Sequence, residues 1–148
     1  MSQPDLNGVR VLVVEDDTDC REFMRTVLEL EGATVVTAET AWHALKVLGK
    51  FVPHVIVSDL VLPDEDGVWL IRTARAAMRL GTRAPATVIV TGSTDKAART
   101  RCFLAGCDEF LPKPLDAIEL CNVVARLAAP STPSPPRRDC STNACDAK

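Results

Sequence analysis

Two apolar runs of the chain end on carboxylates. VLVV is followed by Glu15, Asp16 and Asp17, and VIVS is followed by Asp59. A buried strand tolerates a charge at its tip when something there uses that charge. If the two tips lie side by side in a sheet, their carboxylates repel one another, and a divalent cation with oxygen ligands relieves the repulsion. The pattern therefore favours a Mg²⁺ site.

Two further stretches carry groups that suit phosphate chemistry. ATVIV is followed by Thr91, Gly92 and Ser93, and FLPKP contains Lys113. Beside a bound cation, Asp59 can stay ionised and act as a nucleophile toward phosphorus. Lys113 would supply a positive charge and Thr91 a hydroxyl for the phosphoryl oxygens, while Gly92 leaves space for them. The predicted chemistry is the acceptance of a phosphoryl group by Asp59.

The elements that must position these side chains alternate between strand-like and helix-like patterns. Uniformly apolar, β-branched runs at 9–14, 33–38, 54–59 and 86–91 indicate strands buried on both faces, and 108–112 is a weaker fifth. Right-handed crossovers between them predict an α/β fold, a doubly wound (βα)5 parallel sheet. Such sheets place their sites at the carboxyl ends of the strands.

Caps and stops predict where the helices lie. Asp19 and Glu22 are interpreted as a capping pair for the first helix, which Gly32 would end. The third helix is expected from Asp66 to Leu80, with Asp64 in the turn before it. The other helices are expected at 41–49, 95–105 and 115–128, the last with Ile118, Leu120 or Cys121, Val124 and Leu127 buried.

Length and composition suggest one ordinary globular domain. The chain has 148 residues, is 47% hydrophobic and 25% charged, and carries a net charge of −3. No basic stripe indicates nucleic-acid binding by the chain itself. No signal peptide and no membrane-length apolar run are recognised, so a cytoplasmic location without membrane contact is expected.

The chain divides by composition into three parts. Residues 1–8 form an N-terminal lead, 9–129 the domain and 130–148 a flexible tail rich in Pro and Ser. The cysteines form no Cys-x-x-Cys pair, so they are interpreted as structural or incidental thiols. They are Cys20, Cys102, Cys107 and Cys121 in the domain and Cys140 and Cys145 in the tail.

Four stretches taken in order, VLVVEDD, SDLVLPDEDG, VTGS and AGCDEFLPKP, resemble the receiver domain of two-component response regulators, in the single-domain form of chemotaxis receivers. The resemblance covers residues 9 to about 129. It implies the flavodoxin-like strand order 2-1-3-4-5 and Mg²⁺ as cofactor. It also implies that Asp59 is phosphorylated from the phosphohistidine of a sensor histidine kinase or a phosphotransfer protein.

The resemblance assigns a role to each matching residue. Asp16 would bind Mg²⁺ directly and Glu15 through water, together with Asp59 and the backbone carbonyl of Val61. Asp17 would stay outside the metal's ligands.

Other roles implied by the resemblance concern switching. Thr91 matches the switch hydroxyl and Phe110 the switch aromatic, and a cis bond between Lys113 and Pro114 would aim the lysine inward. Phosphorylation would then reshape the face formed by the fourth helix, fifth strand and fifth helix. A downstream protein, or a second copy in a homodimer, would bind that face.

The sequence departs from the family pattern at several positions. Phe110 stands where relatives often have Tyr, and Leu115 where they often have Phe. Val61 and Ser93 occupy positions whose side chains tune hydrolysis of the acyl phosphate in relatives. Because valine cannot orient an attacking water, a fairly long-lived phosphoryl group is expected.

Three other classes of protein are alternatives to a receiver that is phosphorylated. A Toprim-type enzyme could use Asp64 and Asp66, but these residues follow Pro63 rather than a strand end. A haloacid-dehalogenase-like phosphatase needs Asp-x-Asp-x-Thr, and Arg21 stands in the last place. The alternative that stays open is a receiver-fold interaction module that acts without phosphorylation.

Overall fold

A computed structural model of the protein describes residues 5–77, 84–92 and 95–129. Several predictions lie outside these residues. They concern residues 1–4 of the lead, the end of the third helix near Leu80, Ser93, and the tail at 130–148 with Cys140 and Cys145.

Strands and helices alternate along the described residues. The strands are β1 (Arg10–Val14), β2 (Thr34–Ala38), β3 (Val55–Asp59), β4 (Ala86–Thr91) and β5 (Glu109–Pro112). The helices are α1 (Thr18–Leu30), α2 (Ala41–Leu48), α3 (Gly67–Ala77), α4 (Lys96–Ala105) and α5 (Ala117–Ala128). All strand pairs are parallel, and the order is β2-β1-β3-β4-β5. The predicted fold class and strand order are confirmed.

The central strands are largely apolar because helices cover both faces of the sheet. Val11 and Val13 pack into a cluster with α1 and α5, whereas Leu12 and Val14 pack into a second cluster with α2. Successive side chains of a strand point to opposite faces, so both sets must be hydrophobic. The sheet order then makes β1, β3, β4 and β5 consecutive neighbours, and their carboxyl ends share one edge.

The domain cysteines are free thiols, as predicted. Cys102, Cys107 and Cys121 are buried and Cys20 is half-buried. Burial raises the pKa of Cys20, Cys107 and Cys121 to about 11, so these thiols stay neutral at physiological pH. Among the described residues, no helix is long and apolar enough to cross a membrane.

Two predicted helix details are wrong. Asp17, not the pair Asp19–Glu22, caps α1, and its side chain accepts a hydrogen bond from the backbone N–H of Cys20. Ile118 of α5 is 69% exposed, because it lies on the opposite side of the helix from Leu120 and Val124. Helix α3 begins at Gly67, and Asp66 accepts a hydrogen bond from the N–H of Trp69.

Asp64 caps α2 rather than serving only the turn before α3. Its two carboxylate oxygens accept hydrogen bonds from the N–H groups of Ala41 and Trp42, both at 3.0 Å. The hydroxyl of Thr40 accepts from the N–H of His43 at 3.0 Å. The first turn of α2 is therefore satisfied from two segments. The connection also ties the β3–α3 loop, which follows Asp59, to α2.

We expect the Asp64→Ala variant to lower the free energy of unfolding by about 1 kcal/mol at pH 7, as for the loss of a helix cap. Slight burial would raise the pKa of Asp64, but hydrogen bonds from Trp42 and Ala41 outweigh it and lower the pKa. The carboxylate's contribution is therefore complete above about pH 4 and is lost as the pH falls through the lower folded-state pKa. Denaturant unfolding of both proteins at several pH values measures the difference.

The Glu65→Ala variant is the control, because it removes a carboxylate from the same loop and keeps both acceptors of Asp64. A stability difference for Asp64→Ala that matches the control, or that does not shrink in acid, would contradict the capping role.

Candidate phosphoacceptor site

Three carboxylates meet at the carboxyl edge of the sheet. Glu15 and Asp16 follow β1, and Asp59 ends the adjacent strand β3. One oxygen from each of the three lies within 4.8 Å of the others. Glu15 is 0% and Asp59 9% exposed, whereas Asp16 is open to solvent. The cluster is therefore accessible from one side and backed by protein on the other.

Lys113 lies between two of these carboxylates. Its Nζ is 3.0 Å from Glu15 Oε1 and 3.3 Å from Asp59 Oδ2. Partial burial would lower the pKa of Lys113, but the hydrogen bond to Glu15 and the charge of Asp59 raise it above its usual range. The side chain therefore carries its positive charge at neutral pH. The Lys113–Pro114 peptide bond is cis, as expected.

Glu15 is held from two directions. Lys113 donates to its Oε1, and the N–H of Asp17 donates to its Oε2 at 3.1 Å. Burial raises the pKa of Glu15, the hydrogen bonds from Lys113 and Asp17 oppose that shift, and the charge of Asp59 adds to it. A buried carboxylate with a neighbouring carboxylate is a charge arrangement that a cation would stabilise.

The donor set fits Mg²⁺. Magnesium prefers oxygen ligands at about 2.1 Å, so two ligands on opposite sides of the ion lie about 4.2 Å apart. The three carboxylate oxygens lie within 4.8 Å of one another, so small side-chain movements would bring them to that spacing. The solvent-facing side leaves room for the waters that Mg²⁺ usually keeps. The three acids would therefore hold Mg²⁺ from the side backed by protein.

The other predicted site residues surround this cluster. Thr91 ends β4, is buried, and its carbonyl accepts a hydrogen bond from the N–H of Lys113 at 2.9 Å. Val61 follows Asp59 with an exposed side chain, and its N–H donates to Asp59 Oδ1 at 3.4 Å. These contacts place both residues beside Asp59 or Lys113.

Phe110 lies on β5, three residues before Lys113, and faces α4. Its ring centroid is 6.4 Å from that of Phe103 and 5.5 Å from the guanidinium carbon of Arg99. The ring is half-buried against the cluster that includes Ala98 and Cys102. It therefore packs on α4, next to the surface predicted to change.

Two residues that position the site were missed in the sequence. Gly67 begins α3 so close to β3 that a Cβ would lie 2.8 Å from the carbonyl oxygen of Asp59 and 2.9 Å from Ile89 Cδ1. Only glycine allows that approach without a shift of the backbone. Arg21 donates hydrogen bonds to the carbonyls of Glu15 and Asp16. The position of Gly67 directly after Asp66 could have indicated its role, whereas nothing in the sequence around Arg21 indicates its contacts.

Comparison with known proteins gives one family. Residues 11–125 match the family described as the response regulator receiver domain. A 14.6 kDa uncharacterized protein from the sodA1 3′ region of Leptolyngbya boryana is 37% identical over 114 residues, covering 77% of this chain and 86% of that protein. The KDP operon transcriptional regulatory protein KdpE of Escherichia coli is 34% identical over 110 residues, 74% of this chain.

The chain covers only 47% of KdpE, about half of that regulator's length. Among solved structures, a CheY-like receiver domain protein from Methanospirillum hungatei superposes with a TM-score of 0.74 at 27% identity. The match covers 84% of this chain and 94% of that one. The similarity therefore extends over the whole (βα)5 unit.

Proposed function

The chain belongs to the family of response regulator receiver domains, and we propose that Asp59 is the residue on which it accepts a phosphoryl group. Members of this family are phosphoacceptor modules of two-component signalling rather than classical enzymes, and they partner with histidine kinases. The observation that carries the proposal is that three strand ends meet at Asp59. Lys113 follows β5, Glu15 and Asp16 follow β1, and Asp59 itself ends β3.

The transfer step uses Asp59 as nucleophile. A carboxylate oxygen attacks the phosphorus of a phosphohistidine, the new P–O bond forms, and the P–N bond breaks with its electron pair passing to the imidazole. Lys113 would stabilise negative charge on the phosphoryl oxygens, and the hydroxyl of Thr91 would donate a hydrogen bond to one of them. Asp16, Asp59 and the carbonyl of Val61 would hold Mg²⁺ directly and Glu15 through water. Bound there, Mg²⁺ offsets the charge of the carboxylates and the incoming phosphoryl group.

Switching would follow from the new charge at Asp59. Movement of the Thr91 hydroxyl toward the phosphoryl group would vacate space into which Phe110 turns. That rotation would break the contacts of the ring with Phe103 and Arg99 on α4. The face formed by α4, β5 and α5 would then bind a downstream protein or a second copy of the chain. We place this signalling in the cytoplasm, where histidine kinases present their phosphohistidine.

The test is phosphorylation by acetyl phosphate, followed by the intact mass of the protein. We expect the mass of one phosphoryl group to be added in the presence of Mg²⁺ and none after chelation with EDTA. A protein that binds Mg²⁺ but gains no mass from acetyl phosphate or from a phosphorylated kinase would contradict the proposal. That result would favour the interaction module that acts without phosphorylation.

We expect the phosphoryl group to persist well beyond a few seconds, because the exposed aliphatic side chain of Val61 cannot orient an attacking water. The Val61→Gln variant offers an amide at the same position and should shorten the lifetime. Decay of the phosphorylated mass after removal of acetyl phosphate measures both rates. The Val52→Gln variant is a control, since Val52 is an exposed valine that precedes β3 at its other end. A lifetime of a few seconds in the unaltered protein would contradict the expectation.

A further inference from the structure

Arg21 lies on α1 with its guanidinium against the loop that carries the two acids. Its Nη1 donates to the carbonyl oxygen of Glu15 at 3.0 Å and to that of Asp16 at 3.3 Å. Its Nη2 is 3.4 Å from the hydroxyl of Thr18 and 3.8 Å from a carboxylate oxygen of Glu39. The side chain is only 11% exposed. One largely buried cation therefore contacts both acids through their backbone, and the contacts leave the carboxylates themselves available.

The loop needs such a partner because β1 ends just before it. The carbonyls of Glu15 and Asp16 lie beyond the last register pair between β1 and β3, which is Val14 with Ser58. Glu15 is buried, so its carbonyl needs a donor from the protein. The guanidinium of Arg21 supplies one and also contacts the carbonyl of the solvent-exposed Asp16. The two nitrogens of the guanidinium form a fork, with Nη1 on both carbonyls and Nη2 toward Thr18 and Glu39. The single ammonium of lysine cannot reproduce that fork.

We propose that Arg21 is a positioning residue, which holds the backbone of Glu15 and Asp16 so that their carboxylates converge with Asp59 on Mg²⁺. The inference rests on the proposed function, since it concerns the same site. The positioning role predicts that removal of Arg21 weakens Mg²⁺ binding, whereas an effect of charge alone would strengthen it. A cation near a Mg²⁺ site repels the ion, so a residue acting only by charge would weaken binding, and its removal would strengthen it.

The experiment measures the Mg²⁺ dissociation constant of the full chain from amide chemical shifts. The Arg21→Gln variant removes the charge and the fork, and Arg21→Lys keeps the charge but loses the fork. Loss of a residue that orients metal ligands typically weakens metal binding about tenfold or more. We expect the Mg²⁺ dissociation constant of both variants to rise by that factor. At saturating Mg²⁺, the rate of phosphorylation should return toward that of the unaltered protein.

Arg25→Gln is the matched control, because Arg25 lies one turn farther along the same helix. It is 44% exposed and contacts only the surface side chains of Glu22 and Glu29 among its ion pairs, at 3.7 and 3.8 Å. Its removal deletes the same charge without disturbing the loop, so the dissociation constant should stay within about twofold. Thermal unfolding of each variant separates a change in affinity from a loss of stability.

An unchanged or lower dissociation constant in both Arg21 variants would overturn the proposal. Should Arg21→Gln fail to fold, Arg21→Lys carries the test, since it keeps the charge and most of the aliphatic stem. If the unaltered protein binds Mg²⁺ but accepts no phosphoryl group, the proposed function fails while the Mg²⁺ titrations still test Arg21. If it is phosphorylated and the Arg21 variants bind Mg²⁺ as tightly as it does, only the positioning role fails.

Discussion

The Asp59→Asn variant is expected to gain no phosphoryl group from acetyl phosphate under conditions that fully modify the unaltered protein. An amide oxygen is a far weaker nucleophile than a carboxylate, and the exchange also removes one of the three acids of the Mg²⁺ site. Intact mass at several times measures the loss, and peptide mass spectrometry locates the group in the unaltered protein.

The change should not unfold the protein. Asn has nearly the same shape as Asp, and the exchange removes one of the like charges that face each other at Glu15 and Asp59. Lys113 keeps its 3.0 Å contact with Glu15. A folded but inert variant is therefore expected, which can be verified by its amide spectrum.

Asp64→Asn provides the control for Asp59→Asn. Asp64 lies in the loop that follows Asp59, but its carboxylate caps α2 and lies outside the acidic cluster. This variant should be phosphorylated to the same extent as the unaltered protein. Phosphoryl uptake by Asp59→Asn, or a modified peptide that lacks Asp59, would contradict the assignment of the acceptor.

The site residues that could be predicted are those that lie at or directly after the end of a predicted strand. Glu15, Asp59 and Lys113 each follow an apolar run, and a parallel sheet brings such ends to one edge. Their sequence separations of 98 and 54 residues carried no information on distance. Once the order of strands was inferred, the meeting of their side chains followed. Their chemical roles remain predictions for the experiments above.

Other contacts could not be predicted, because they join a side chain to the backbone of another segment. Arg21 contacts two carbonyls of the preceding loop, and Asp64 contacts two N–H groups of a helix that begins 23 residues earlier. In the local sequence, nothing distinguishes these two residues from an ordinary exposed arginine or aspartate. Such contacts depend on how the tertiary structure brings separate segments together, and a local sequence pattern does not predict that.

Among the described residues, the predicted helix bounds agree with the structure to within one or two residues, and the end expected near Leu80 lies outside them. The pair Asp19–Glu22 was predicted to cap α1, but the loop geometry brings the side chain of Asp17 to the N–H of Cys20 instead. At α5, Ile118 was predicted to be buried together with Val124 and Leu127. Contact of the helix with the sheet selected the face with Leu120 and Val124, so that Ile118 faces outward.

The Lys113→Met variant is expected to separate metal binding from phosphoryl transfer. Methionine keeps much of the aliphatic length but brings no charge to the phosphoryl oxygens. Loss of one such charged donor typically slows a reaction by about 100-fold or more. The rate of mass gain from acetyl phosphate at saturating Mg²⁺ should fall accordingly. The Lys113→Arg variant keeps the charge but is bulkier and should recover only part of the rate.

Mg²⁺ binding should change in the opposite direction. The ammonium of Lys113 lies 3.0 Å from Glu15 and 3.3 Å from Asp59, so it neutralises the same oxygens that would hold or surround the ion. Without it, Glu15 stays buried beside Asp59 with no opposing charge from residue 113, and Mg²⁺ becomes the available partner. We expect a Mg²⁺ dissociation constant equal to or lower than that of the unaltered protein, and a larger gain in thermal stability on adding Mg²⁺. Weaker Mg²⁺ binding together with an unchanged rate of phosphoryl transfer would contradict the role assigned to Lys113.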